Sequence, residues 1–149
     1  MTQGAKVDPS VRIALAHLIA LYRSVHTNDR RNTPAGHWIN EAYVIRLCAV
    51  LECHHVFSEN KRIDFELEGA DRVDLCRRLR NEFAHATGKI HDGDAAKLDK
   101  RLREVFGLGD QESVFEGRFI LSKDKVLGPM TEGCLCYVES LIERENQAG

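Results

Sequence analysis

Residues 70–85 read ADRVDLCRRLRNEFAH. On a helix turning about 100° per residue from Val73, the residues Leu75, Leu79, Phe83 and Cys76 fall between about 200° and 300°. That arc is a core-facing stripe. Asp74, Asn81 and His85 fall at about 80–120°, on the other side, with Arg77 and Arg78 flanking them. The segment is therefore an amphipathic helix, and Gly88 is placed to stop it. One apolar stripe needs partners, so the rest of the chain decides what it packs on.

The flanking segments repeat the helical period. Asp8-Pro9 offers an N-cap and a first-turn proline. Val11, Leu15, Leu18, Tyr22 and Val25 then recur at three- and four-residue steps, giving a helix to about His26. Residues 27–36 are polar, hold Pro34 and Gly36, and read as a loop. A second helix runs from about His37 to Phe57 and is apolar on most sides, which predicts a central, well-buried helix. Residues 58–69 read as irregular. Asp92-Gly93-Asp94 caps a fourth helix that ends at about Phe106 before Gly107 and Gly109. Residues 110–117 read as a loop, and Arg118–Leu121 as a short apolar run. Gly128-Pro129 opens a fifth helix with Met130, Cys134, Tyr137, Val138, Leu141 and Ile142 on its inner face. Glu145–Gly149 is expected to fray. The expected fold is all-α: an up-and-down bundle of about five helices. At 149 residues it forms one domain over 1–149, with an ordered core at about 9–146.

Composition limits the function. The apolar fraction of 43% suffices for a core, and the net charge of −2 excludes a uniformly basic nucleic-acid coat. Five cysteines, an odd number, with no secretory leader pattern in the polar start, point to a reducing cytoplasm. No apolar run approaches the ~18–20 residues that span a bilayer, so no membrane partner is expected. Charge is uneven, however. Residues 72–103 hold nine Lys/Arg against five Asp/Glu. That excess can steer a polyanion; on the fourth helix it also reads as an ordinary solvated face.

The chemistry gathers at Arg80-Asn81-Glu82-Phe83-Ala84-His85. Asn81 and His85 are four apart and neighbours on one helical face. An amide there can hold one imidazole nitrogen and fix its tautomer. Arginine offers a planar fork for phosphate oxygens, and histidine titrates near neutrality.

The string RNEFAH at 80–85 resembles the Arg-x(4–6)-His signature of the HEPN superfamily, with a polar residue after the arginine. The helical layout is similar over roughly 9–146. Together with Arg118-Phe119-Ile120-Leu121-Ser122, the motif looks like the mannitol-repressor-type branch. The resemblance implies a metal-independent endoribonuclease that acts on RNA, needs no cofactor, and builds a composite site across a homodimer. Arg80 and His85 would be the catalytic pair and Asn81 their support. It also implies a toxin or defence effector silenced by a nucleotidyltransferase-like antitoxin. Its other implication is an inactive module that binds a nucleotide, RNA or a regulatory protein. Arg80 and His85 sit about 140° apart on an ideal helix and do not share a face. Arg78, as Arg-x6-His, lies close to His85 and is the rival motif arginine.

Plainer readings stand beside these. The motif also reads as a polar helix end, with Arg80 paired to Glu82 or another acid. Glu52, Cys53, His54 and His55 are adjacent on a helix and diverge, so no metal site is expected there. Cys134 and Cys136 diverge in the same way. Cys134, Cys48 and Cys76 read as core filling. Trp38 reads as core or interface.

Overall fold

A computed structural model describes residues 5–25, 34–86, 93–109, 114–115, 118–119 and 121–148. They form the expected all-α bundle of five helices: α1 (Val11–Val25), α2 (Pro34–Cys53), α3 (Ala70–Ala86), α4 (Gly93–Phe106) and α5 (Gly128–Ala148). Most of the loop expected at 27–36 and the Gly88 helix stop lie outside the described residues.

α3 packs against α2, α4 and α5, while α1 closes the bundle against α2 and α5. The central helix is therefore α3. The expectation that α2 is the central, well-buried helix fails. Tyr43, Val44, Leu47, Cys48 and Leu51 of α2 are buried. Its opposite face is exposed, with Trp38 at 71%. Trp38 is thus no part of the core.

α1 begins two residues later than the cap pattern implies. Asp8 Oδ1 accepts the Ser10 N–H at 2.9 Å, and Asp8 O accepts the Val11 N–H at 3.0 Å, so the aspartate still closes the first turn. α2 stops at Cys53, short of Phe57. His55 takes a left-handed conformation, φ 62°. The Val56 N–H reaches Leu51 O at 2.9 Å, and the His55 N–H reaches Glu52 O at 3.1 Å. These two bonds are a Schellman cap with histidine where glycine is usual.

Between α4 and α5 the expected loop is broken by a minimal ladder. Val114 pairs with Phe119 and Phe115 with Arg118, antiparallel. Phe119 is buried, which anchors the ladder to the bundle. A π-helical turn, Lys123–Leu127, leads into α5, with the Leu127 N–H bonded to Ser122 O at 2.9 Å. Buried polar bonds fix this end. The Tyr22 hydroxyl donates to Asn40 Oδ1, and Asn40 Nδ2 donates to Leu121 O, each at 3.0 Å. Thr131 donates to Leu127 O at 2.7 Å, which leaves Tyr43 as donor to Thr131 Oγ1, also at 2.7 Å.

α5 does not fray at Glu145; it continues to Ala148. Glu145 accepts the Val7 N–H at 2.9 Å and pairs with Lys61 at 3.1 Å. Lys61 Nζ also donates to His55 O at 2.7 Å and Ala5 O at 2.8 Å. This half-buried knot ties the chain start, the end of α2 and the end of α5. Among the described residues no helix is long and apolar enough to cross a membrane.

α3 and α5 meet backbone to backbone. Gly69 has φ 86°, and a Cβ there would stand 2.1 Å from Gly133 O; a Cβ on Gly133 would stand 2.6 Å from Arg72 Cγ. Gly69→Ala should therefore cost about 3 kcal/mol, from left-handed strain plus overpacking. His55→Gly should instead stabilise by about 1 kcal/mol, because it relieves the same kind of strain at an exposed cap. Urea unfolding of the two variants checks both signs.

Tyr137 is wholly buried, and its hydroxyl accepts the Asp64 N–H at 2.9 Å. Burial, then the charge of Glu145, push the phenol up to about 12. Ionisation is thus easier in the unfolded chain, where the value is about 10. The Tyr137 contribution should be full below about pH 10 and fall as pH rises toward 12. Urea midpoints across that window should drop less steeply in Tyr137→Phe than in the unaltered chain.

Candidate functional site

α3 starts under Gly69, whose carbonyl accepts the Arg72 N–H at 3.0 Å and the Val73 N–H at 3.2 Å. The helix is unbroken to Ala86, so it spans the whole of RNEFAH. Its buried side comprises Val73, Leu75, Cys76, Leu79 and Phe83. Val73 belongs to that side, so the core arc is wider than 200–300° and runs on to Val73 at 0°. Arg80, at about 340° on the same wheel, falls inside it, between Cys76 and Val73.

That position explains where Arg80 goes. Its Nη1 pairs with Glu52 Oε1 across the α2–α3 seam, and its Nε donates to Asn81 Oδ1 at 2.9 Å. The Arg80 side chain is 29% exposed and that of Glu52 38%. The plainer reading of Arg80 as an ion-paired arginine is met, by Glu52 and not by Glu82. Two interactions fix the guanidinium plane from two sides, and no further protein acceptor holds its remaining N–H groups among the described residues. Asn81 is exposed beside it.

Arg78, the rival, is about a third exposed and leans on Asp74 at 3.9 Å; Arg77 takes the same aspartate more closely, at 2.8 Å. His85 lies in the last turn of α3, and its side chain is outside the described residues. With the helix intact to Ala86, positions 80 and 85 remain about 140° apart. The structure thus brings Arg80 and Asn81 together, keeps Arg78 apart on Asp74, and places position 85 around the helix from Arg80.

Glu52 is the residue that sequence reasoning missed as a partner of Arg80. Its signal was available: an acid on α2 facing an arginine caught inside the core arc of α3. Behind the ion pair, Cys48 Sγ donates to Glu52 Oε1 at 3.4 Å, and Cys76 Sγ to Val44 O at 3.8 Å. Cys48, Cys76 and Cys134 are buried, as expected of core fillers. The Cys76 thiol beside it, then burial, hold Cys48 well above the usual thiol range. Cys76 is raised in turn, first by its hydrogen bond to Cys134. These are neutral, inert thiols.

The Glu52–His55 group turns outward in different directions. Glu52 goes to Arg80, and His54 Nδ1 donates to Val50 O at 2.7 Å. Among the described residues no three His, Cys, Asp or Glu side chains gather as metal ligands.

In the native protein, a thiol reagent such as Ellman's should modify Cys53 rapidly, because it is exposed. Burial and a hydrogen bond to Glu68 raise the Cys136 thiol, so it should react slowly. Cys48, Cys76 and Cys134 should react only on unfolding. A second fast thiol would contradict the buried row.

No family profile, curated protein or solved structure matches the chain.

Proposed function

We propose that the Arg80–His85 segment of α3 is half of a metal-independent endoribonuclease site of the HEPN type, completed by a second copy of the chain. The observation that carries this reading is the Arg80 guanidinium, oriented by Glu52 and Asn81 with N–H donors left over among the described residues, on a helix that continues through His85. Since positions 80 and 85 point about 140° apart, one chain's arginine meets the other's histidine more readily than its own.

The chemistry follows from those groups. The RNA 2′-hydroxyl attacks the adjacent phosphorus and loses its proton to a base. The 5′-oxygen leaves with a proton from an acid, and a 2′,3′-cyclic phosphate remains. His85 serves the proton transfers, and Arg80 stabilises the charge on the pentacoordinate phosphorus. A nucleotidyltransferase-like partner covering this face would silence it.

A second reading is favoured by one specific fact: Glu52 already neutralises Arg80. On that reading the chain is a HEPN-like module that binds RNA, a nucleotide or a regulatory protein without cutting.

Single-stranded RNA incubated with the protein in EDTA separates the two. Cleavage should occur as a dimer by sedimentation. His85→Ala should slow it by about 10²–10⁴ and Arg80→Ala by about 10²–10³. Cutting that survives both substitutions, or needs a divalent metal, rejects the ribonuclease. Protection of His85 from acylation by an anionic ligand, with no cutting, supports the binding module.

A further inference from the structure

α2 carries apolar residues on most of its sides, and a helix of that kind is normally well covered. Here one face is bare. Trp38, Ala42, Ile45 and Ala49 recur at steps of four, three and four residues, all exposed. They form a stripe about 16 Å long. α1 lies alongside with Leu21 exposed, and α1 contains no acidic residue.

The surface is grooved. Two depressions of about 230 Å3 and 220 Å3 lie along the α1–α2 seam. Trp38 and Ile39 wall the first; Ala14, His17 and Val50 line the second; Leu18, Leu21 and Arg46 are common to both. Arg46 therefore stands between the two pits. It is exposed, and among the described residues its guanidinium has no ion-pair or hydrogen-bond partner. A cation with no partner among the described residues, beside an apolar pit and with no acid in the lining, calls for a carboxylate next to an apolar side chain.

We propose that the α1–α2 groove docks an acidic amphipathic helix of a partner protein, with an apolar side chain in the Trp38 pit and a carboxylate on Arg46. Helical spacing of three or four residues puts such side chains on one face. A second copy of this chain fits less well. Paired face to face across a two-fold axis, it would bring Arg46 toward the same cation of its copy. A flat anionic bilayer would leave the pits unfilled. RNA needs several phosphate contacts, and the lining offers one guanidinium. The proposal does not depend on the α3 site.

Trp38 is the only tryptophan of the chain, so its emission reports cover over the groove. A displayed library of helical peptides about 15 residues long, selected on the full chain, is the probe. Enriched peptides should carry Asp or Glu with a large apolar residue three or four positions away. A synthetic copy should move Trp38 emission to shorter wavelength, saturably. Replacing its acid with Lys should weaken binding at least about tenfold, and Arg46→Glu should reverse that preference. Should Arg46→Glu fail to fold, by circular dichroism, the acid-to-Lys peptide pair on the unaltered chain carries the same test. The proposal is overturned by any of four results: no enrichment; enriched peptides without an acid; equal binding of the acidic and Lys peptides; or a stronger emission shift from phosphatidylglycerol vesicles, polyuridine or raised protein concentration than from the best peptide.

Discussion

The close approach of α3 to α5 at Gly69 and Gly133 is the constraint on which the arrangement depends. Without side chains at those two positions, α3 lies against α5 along its first turn. From there α3 can bury Leu75, Leu79 and Phe83 while also meeting α2 and α4. A helix packed on three sides has little room for polar groups inside its apolar arc. Arg80 falls in that arc, and so α2 must supply an acid at Glu52. The geometry of the candidate site is thus a consequence of helix packing and not an addition to it.

The pairing cuts both ways. A part-exposed ion pair contributes little stability by itself, because water screens it and the side chains lose freedom. It does hold the guanidinium plane in one orientation. Substrate binding needs just such an oriented donor set, and a merely structural arginine uses the same contacts. That duality is why Glu52 and Arg80 belong to both functional readings. The exposed face of α2 is a separate matter: Trp38, Ala42 and Arg46 lie along the seam with α1, outside the α2–α3 contact that holds Arg80.

Much of the fold was legible in the residues. The three- and four-residue spacing located all five helices, since local periodicity reflects which face is dry. Ends were less legible. α2 stops at a Schellman cap formed by His55, a residue that does not advertise a left-handed turn as glycine does. α5 outlasts its expected fray because Lys61, more than eighty residues away in sequence, reaches Glu145. The pairing of Val114–Phe115 with Arg118–Phe119 is too short to show as alternation.

Residue periodicity and chemistry suffice for the helical class, the buried cysteines and the gathering of Arg80, Asn81 and His85 on one segment. These are local properties, set by period and side-chain chemistry within a few turns. That α3 and not α2 is central, that Arg80 turns to Glu52, and that Trp38 lies in the open follow from the packing of distant elements. Each depends on which faces meet across the bundle. A helix with apolar residues on most sides gives no internal sign of which side its neighbours will leave uncovered.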